Sequence, residues 1–148
     1  MTTLGAYTHS VESIQGDHRH LKARLTWLHD QLASAGLTSG QTDRELAEME
    51  AELEEHFTQE EGGGFFVAII EAAPEASEKV QELLRQHRQF RTTFRALRKT
   101  CRWACGESGT RAGWMAAFAE FHRAFDDHEC TEHELLYEAL QRDVGAAD

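Results

Sequence analysis

Two short motifs place a histidine and a glutamate four residues apart within otherwise apolar helical patterns. They are His56-x-x-x-Glu60 and His128-x-x-x-Glu132. Residues four apart share one face of a helix, so each pair presents an imidazole and a carboxylate in the same direction. Two further histidines, His18 and His87, interrupt apolar stripes of the same period elsewhere in the chain. The sequence therefore carries six polar side chains at positions that a helix would bury.

Burying these groups without a partner would cost free energy, and a carboxylate would cost more than an imidazole. A single buried histidine is most often a hydrogen-bonded core residue. Six polar groups spread over four stripes favour a shared metal, and a buried hydrogen-bonded network is the alternative. Four nitrogens and two carboxylates are too many ligands for one tetrahedral zinc ion and suit two metal ions. Mixed imidazole and carboxylate donors fit iron, and no cysteine lies in this layer.

Apolar residues at three- and four-residue spacing predict four helices that would carry these side chains. The predicted ranges are 10–34, 42–61, 74–105 and 110–142. The second helix is expected to begin at Thr42, which has a capping-box spacing with Glu45, and to end at the glycines 62–64. Pro74 suits the first turn of the third helix. The apolar segment 65–70 is either a short helix or a flap over one end of the bundle.

Four helices with short connections predict one all-α domain over residues 1–148, folded as an antiparallel up-down-up-down bundle. In that topology the start of the first helix, the end of the second, the start of the third and the end of the fourth lie together. The six polar side chains fall in these portions of the sequence. We therefore expect them in one layer at one end of the bundle.

The composition of the chain limits the classes of partner. Its 148 residues carry a formal net charge of -11, from 26 acidic and 15 basic residues, which disfavours nucleic acid and anionic membranes as partners. No stretch reaches the ~20 apolar residues of a membrane span, and residues 1–16 lack the pattern of a signal peptide. The three cysteines, at positions 101, 105 and 130, show no disulfide framework, so a reducing cytoplasm is the expected location.

The residues around the six polar side chains form four blocks in order along the chain. They are Asp17-His18-Arg19-His20-Leu21, Glu55-His56-Phe57-Thr58-Gln59-Glu60-Glu61, Gln86-His87-Arg88 and His128-Glu129-Cys130-Thr131-Glu132. These blocks resemble the hemerythrin-like family of HHE cation-binding domains, and the resemblance extends from about residue 18 to about residue 136. It implies a hemerythrin-like four-helix bundle that holds a non-haem centre of two iron ions with an oxo or hydroxo bridge.

The resemblance also implies a division of the six residues between the two ions. The implied ligands are His18 and His56 for one iron, His87 and His128 for the other, and Glu60 and Glu132 as bridges to both. Such a centre interacts with dioxygen, hydrogen peroxide or nitric oxide in a sensing or scavenging role, and a sensor would need a separate redox or signalling protein as partner. A di-iron peroxidase or oxidase and an iron storage or delivery protein are the alternatives, so enzymatic activity stays an open question. The polar positions in all four stripes disfavour a structural module without metal.

Two positions depart from the pattern of oxygen-carrying hemerythrins. Those proteins have a second histidine one turn after the ligand of the third helix, where this chain has Arg91. They also place the carboxylate of the fourth helix five residues after its histidine, where this chain has His133, while Glu132 fits the four-residue spacing of many relatives. The missing histidine predicts an open coordination position, which favours reactivity over reversible oxygen carriage. A metal contact by His133 or Glu129 stays open, although Glu129 and Glu55 are expected to be surface carboxylates.

Overall fold

The computed structural model describes residues 8–104 and 108–147, with side chains described for residues 12–101 and 111–142. Four long helices and one short helix make up most of this part of the chain. They are α1 (Thr8–Ala33), α2 (Ser39–Gly62), α3 (Phe65–Ala72), α4 (Ser77–Ala104) and α5 (Ser108–Ala147). The described ranges contain no strand, so the prediction of an all-α fold is confirmed.

The four long helices form a closed ring of neighbours. Helix α1 packs against α2 and α5, and α4 packs against the same two helices. At one end of the bundle the start of α5 reaches the ends of its neighbours, because Trp114 Nε1 donates to the carbonyl of Leu97 at 2.8 Å and Arg111 donates to that of Leu32 at 2.6 Å. At the other end the start of α1 meets the second half of α5. The helices therefore have the antiparallel up-down-up-down arrangement expected from the sequence.

Helix α2 begins three residues before its predicted start. The Thr38 side chain accepts a hydrogen bond from the backbone N–H of Gln41, and the Gln41 side chain accepts one from the backbone N–H of Thr38, which completes a capping box. The predicted box at Thr42 and Glu45 is wrong, because Thr42 already lies inside the helix and donates its hydroxyl to the carbonyl of Thr38 at 2.9 Å. Both pairs have the same spacing, so the spacing alone could not distinguish them.

Replacing the cap by Thr38→Ala should destabilise the protein by about 1 kcal/mol, since the backbone N–H of Gln41 would lose its side-chain acceptor. Chemical denaturation monitored by circular dichroism measures this loss. The neighbouring exposed residue Ser39 provides a control, and Ser39→Ala should change the free energy of unfolding by less than about 0.5 kcal/mol. Equal stability of the two variants would contradict the assignment of the cap.

Two glycines turn the chain between α2 and α3. A Cβ atom on Gly63 would lie 2.5 Å from the carbonyl oxygen of Gln59, and Gly64 has φ 88°, in the left-handed region that favours glycine. The segment that follows is the short helix α3, and it packs against α2, α4 and α5. Of the two alternatives for residues 65–70, the short helix is therefore correct, and this helix covers one end of the bundle as the flap would have done.

Two other helix bounds differ from the predicted ones. Pro74 opens a single 3-10 turn, Pro74–Ala76, and α4 begins only at Ser77. Proline fixes its own φ for a helical turn but does not decide whether that turn is α or 3-10. At the other end of the chain α5 continues to Ala147, five residues beyond the predicted bound.

The polar layer lies between two apolar clusters. The larger cluster fills the middle and far part of the bundle, and its members include Leu21, Phe57, Phe90 and Phe125. The smaller cluster lies against α3, and its members include Ile14, Phe66, Leu83 and Leu135. Along α1, α4 and α5 the polar positions fall between members of these two clusters. On α2 they lie at the end of the helix, between Leu53 of the larger cluster and Phe65 of the smaller cluster, which belongs to α3. The fold therefore holds the polar side chains in a layer with apolar core on both sides.

Candidate metal centre

All six side chains singled out by the sequence meet in this layer. Each has at most 3% of its surface exposed, and the six are His18 from α1, His56 and Glu60 from α2, His87 from α4, and His128 and Glu132 from α5. The four helices thus contribute one histidine each, and α2 and α5 also contribute a carboxylate one turn further along. The expectation that the bundle brings them to one layer is met.

The Glu60 carboxylate contacts imidazoles from three helices. Its Oε2 lies 3.3 Å from His18 Nε2, while its Oε1 lies 3.3 Å from His56 Nε2 and 3.2 Å from His87 Nε2. One oxygen therefore faces the α1 histidine, and the other faces the histidines of α2 and α4. A carboxylate in this position can reach two neighbouring ions.

Glu132 occupies the matching position on the opposite side of the layer. Its Oε2 lies 3.1 Å from His18 Nε2, and its Oε1 lies 2.5 Å from His128 Nε2 and 3.6 Å from His87 Nε2. The Nε2 atoms of His87 and His128 also face each other at 3.1 Å. Since two imidazole lone pairs repel at this distance, one of these nitrogens carries a proton in the metal-free chain.

The inward-facing atoms divide into two groups that could each hold a metal ion. One group consists of His18, His56, Glu60 and Glu132, and the other of Glu60, His87, His128 and Glu132. Within each group the candidate ligand atoms lie within 4.8 Å of one another, and every member is buried. The two groups share both carboxylates, so ions held by them would be neighbours.

In His87 and His128 the ring nitrogen that points away from the layer, Nδ1, is called here the outer nitrogen. Each of these outer nitrogens donates a hydrogen bond to a side-chain oxygen. His87 Nδ1 donates to Glu61 Oε2 at 2.9 Å, and His128 Nδ1 donates to Gln86 Oε1 at 2.7 Å. A hydrogen bond of this kind fixes the ring orientation and leaves the Nε2 lone pair available to a metal. The second group of ligands is therefore held in place before any ion arrives.

The outer nitrogens of the first group are less constrained. His18 Nδ1 lies at hydrogen-bond distance, 2.9 Å, from Nε2 of the exposed residue His133. His56 Nδ1 is buried without a hydrogen-bond partner, and the nearest carboxylate oxygen recorded for it, Asp17 Oδ2, is 3.8 Å away. The two groups thus have the same donors but different surroundings.

The buried carboxylates decide which histidines of the layer carry a proton. Burial opposes protonation of His18, but the carboxylates of Glu132 and Glu60 outweigh it and raise the pKa of His18 to about 10. The same two carboxylates overcome burial at His87 and raise its pKa to about 9. Burial and the positive charge of His18 lower the pKa of His56 to about 3. In the metal-free chain at neutral pH, His18 and His87 are therefore cationic and His56 is neutral.

The two buried carboxylates have opposite pKa shifts. Burial and the neighbouring Glu132 carboxylate raise the pKa of Glu60. Burial also opposes ionisation of Glu132, but contacts with Glu60 and the surrounding histidines hold the pKa of Glu132 well below its usual range. A cation in the layer would favour ionisation of both carboxylates.

Several buried atoms of the layer lack a hydrogen bond, and these atoms test whether a metal fits. Glu60 Oε1 and both carboxylate oxygens of Glu132 are buried without a hydrogen bond of acceptable geometry, although imidazole nitrogens lie close to them. Buried polar atoms are normally satisfied, so these oxygens require a partner. Ions placed between the converging nitrogens and oxygens would supply it, and the donor set fits metal binding.

Comparison with known families agrees with this geometry. The family model for the hemerythrin HHE cation-binding domain matches residues 9–140, which includes all six side chains. The chain belongs to the hemerythrin family of HHE cation-binding domains. A search of curated proteins and a search of solved structures gave no match. Membership of this family implies metal-ion binding, and the six His and Glu side chains are the candidate ligands.

Oxygen-carrying hemerythrins have a second histidine one turn after the ligand of the third long helix. In this hemerythrin domain Arg91 of α4 occupies that position and forms ion pairs. Arg91 donates through Nε to Glu54 Oε2 at 2.7 Å and through an Nη to Glu61 Oε2 at 3.0 Å. Its guanidinium also lies 5.4 Å from the centre of the Phe57 ring. Arg91 therefore cannot replace the missing ligand, but it holds Glu61, which in turn orients His87.

The structure separates the two residues whose metal contact was left open. His133 lies outside both ligand groups and reaches the outer nitrogen of His18, so it contacts a candidate ligand and not the interior of the layer. Glu129 was expected at the surface, and this expectation is wrong, because only 5% of its surface is exposed. It is buried because α5 packs against α1, α3 and α4, which covers a wider face than one stripe. Burial raises the pKa of Glu129 to about 8, whereas Glu55 is exposed as expected.

Metal binding to the hemerythrin domain should strengthen as the pH rises. The metal-free chain holds protons on His18 and His87, with pKa values of about 10 and about 9, and an incoming ion must displace both. Between the pKa of Glu60, about 8, and that of His87, the dissociation constant should therefore fall by up to ~100-fold per pH unit. Zinc titrations at a series of pH values measure this slope, and an affinity independent of pH would contradict it.

The stability of the metal-free domain should fall as the pH rises, because the protons on His18 and His87 stabilise its fold. An imidazole whose pKa rises above 6.5 on folding stabilises the fold fully below pH 6.5, and this contribution is lost as the pH rises through about 9 for His87 and about 10 for His18. The difference in unfolding temperature between loaded and metal-free protein should thus widen with pH. Scanning calorimetry of both forms measures it, and a constant or narrowing difference would be evidence against this protonation state.

Sequence reasoning missed the residues that support the ligands. Glu61 and Gln86 each stand directly beside a candidate ligand in the sequence, and each forms a hydrogen bond with a histidine of another helix. Adjacent residues on a helix point about 100° apart, so a polar neighbour of an inward ligand can reach across to the next helix. Polar residues flanking the motif positions were the available signal.

None of the described helices has the length and apolar character needed to cross a membrane.

Proposed function

We propose that this hemerythrin domain holds two iron ions and binds or reacts with dioxygen, hydrogen peroxide or nitric oxide, in a sensing or scavenging role. The observation that carries the proposal is the pair of ligand groups that share Glu60 and Glu132. Each group offers two imidazoles together with carboxylate oxygens, a donor set typical of non-haem iron sites that keep open positions for an oxidant. Bound iron would supply the redox chemistry.

In this proposal His18 and His56 would hold one ion, His87 and His128 would hold the other, and Glu60 and Glu132 would serve both. The residues of the chain do the remaining work. Glu61 and Gln86 hold the rings of His87 and His128 through their outer nitrogens. Among the described side chains, each group offers two histidines and no third, which would leave room for an exogenous ligand.

Phenyl rings enclose the side of the layer that carries His87 and His128. Phe57 stacks on His87 with ring centroids 4.2 Å apart, and Phe66 lies 5.7 Å from the same imidazole. Phe90 meets His128 edge to face at 5.1 Å. These rings exclude water from the second group, and a bound oxidant would be protected there from solvent protons. We therefore place the reactive position on this side.

Reaction with oxidants tests the proposal. Reduced, iron-loaded protein is mixed in separate experiments with dioxygen, hydrogen peroxide and nitric oxide, and the near-ultraviolet and visible spectrum is followed. We expect a rapid spectral change with at least one of them, and no effect of the control Tyr137→Ala, since that side chain is 65% exposed. An iron-loaded protein that responds to none of the three oxidants would overturn the proposal.

The same measurement separates the alternative functions. Repeated turnover of peroxide would favour a di-iron peroxidase or oxidase, and a stable adduct would favour sensing, with a separate redox or signalling protein as partner. Storage would require more iron than the two groups that the described side chains provide. Iron content well above two ions per chain, together with no oxidant response, would favour storage or delivery.

A further inference from the structure

A cleft between α1 and α2 leads from the surface to the first ligand group. Its volume is about 230 Å³, and its lining residues are Ser13, Asp17, His20, Leu21, Glu52, Glu55, His56 and Gln59. Of these, His56 is also a candidate ligand, with Nε2 directed at Glu60 at 3.3 Å. The imidazole of His56 therefore stands between the cleft and the metal layer.

Two buried atoms at this cleft have no hydrogen-bond partner. His56 Nδ1 is one, in a side chain with only 3% of its surface exposed. Glu52 Oε2 is the other, although His20 Nε2 approaches it to 3.3 Å without forming a hydrogen bond. A neutral imidazole nitrogen and a carboxylate oxygen are both donors to divalent cations. A cation in the cleft beside His56 would satisfy the Nδ1 atom of that ring.

The charge of the cleft is acidic. Asp17 and Glu55 stand at the cleft, and the Asp17 side chain is 42% exposed. The third acid, Glu52, is paired through its other oxygen with Arg24. A cleft lined by charges of one sign concentrates the field and raises the local concentration of oppositely charged ions.

Other grooves of the bundle have the opposite character. The groove between α4 and α5 is lined by Arg85, Arg88 and Glu120, and the groove between α2 and α4 by Arg91, Arg95 and Arg98 together with Glu50 and Glu54. Arginines outnumber acids in both grooves, so the net positive charge of their linings disfavours cations. The α1–α2 cleft is thus the acidic approach to the layer, while the second group lies behind phenyl rings.

We propose that the α1–α2 cleft is a cation-loading site, at which a hydrated divalent ion first binds between Asp17, Glu55 and the outer nitrogen of His56 before it passes to the inner layer. This proposal rests on the proposed metal centre. It assigns the two sides of the layer different tasks, with ions arriving beside His56 and small oxidants beside His87. The carboxylates of Asp17 and Glu55 accelerate loading and are not needed to retain the ions once they are bound.

Cobalt(II) uptake by the metal-free chain tests the cleft without any reaction of the loaded centre. Stopped-flow absorbance gives the uptake rate, and metal analysis gives the amount bound at the end. The double variant Asp17→Asn/Glu55→Gln should take up cobalt about tenfold more slowly than wild type, with the same final amount. A matched pair of exposed carboxylates on α5, changed in Glu134→Gln/Glu138→Gln, alters the net charge equally and should keep the wild-type rate.

A second variant places a cation at the cleft without removing a carboxylate. Ser13 lines the cleft and is exposed, so Ser13→Arg should also slow uptake while leaving the final amount unchanged. Wild-type uptake rates in both cleft variants, equal slowing in the α5 pair, or a lower final amount in the cleft variants would each overturn the proposal. Wild-type protein that binds no cobalt would overturn the metal centre as well, so the two failures are distinguishable.

Discussion

The double variant Glu60→Gln/Glu132→Gln should lose both metal ions together, not one of them. Each carboxylate belongs to both ligand groups, so removal of the charge from both residues leaves each ion with two neutral imidazoles inside an apolar core. A cation cannot stay buried without compensating charge. Metal analysis after loading and gel filtration should find less than one ion in every ten chains, and the pair Glu134→Gln/Glu138→Gln should keep the wild-type content.

A histidine variant gives the contrasting result. The double variant His18→Ala/His56→Ala removes the histidines of the first group and leaves those of the second in place. It should retain about half of the wild-type metal. The glutamine variant should stay folded without metal, because glutamine preserves the volume of glutamate and removes a buried charge. Full metal content in the glutamine variant would show that these glutamates are not the bridging ligands.

Truncation of the aromatic ring beside the centre should have the largest effect on stability. Phe57 is 1% exposed, stacks on His87 at 4.2 Å and lies 6.1 Å from the Phe90 ring. Phe57→Ala should lower the free energy of unfolding by about 3–5 kcal/mol, from the lost transfer of the ring and the cavity left behind. Denaturant unfolding of the metal-free chain measures this change without a contribution from metal binding.

Two controls identify the source of that loss. Phe57→Leu keeps most of the apolar volume and should cost less than half as much as the alanine variant. Tyr137 is 65% exposed, so Tyr137→Ala should change stability by less than about 0.5 kcal/mol. A loss below about 1 kcal/mol for Phe57→Ala would mean that this ring is not packed in the core as the structure places it.

The helices and the polar layer could be predicted because both depend on a single period. Apolar residues repeat at helical spacing, and the histidines and glutamates share that spacing, so one pattern determines both the buried face and the side chains on it. The antiparallel order of four such helices then brings positions as distant as His18 and His128 to one level. Long-range contact followed from topology alone, without knowledge of any side-chain conformation.

Features that depend on neighbouring helices could not be read from one stripe. The burial of Glu129 results from the wide face of α5 that its three neighbours cover, and the pairing of His87 with Glu61 depends on how α2 lies against α4. The start of α2 was missed for a local reason, because Thr38 and Thr42 present the same capping pattern. The difference between the acidic α1–α2 cleft and the side of the layer lined by phenyl rings also depends on how neighbouring helices pack.

Iron content and its effect on stability test the central claim most directly. Protein purified in air after expression with ample iron is analysed for metal, and its thermal unfolding is measured before and after exhaustive chelation. We predict two iron ions per chain and a lower unfolding temperature after their removal, because bound ions would neutralise the buried carboxylates of Glu60 and Glu132. Iron-free protein whose unfolding temperature does not respond to iron or to chelator would contradict the account.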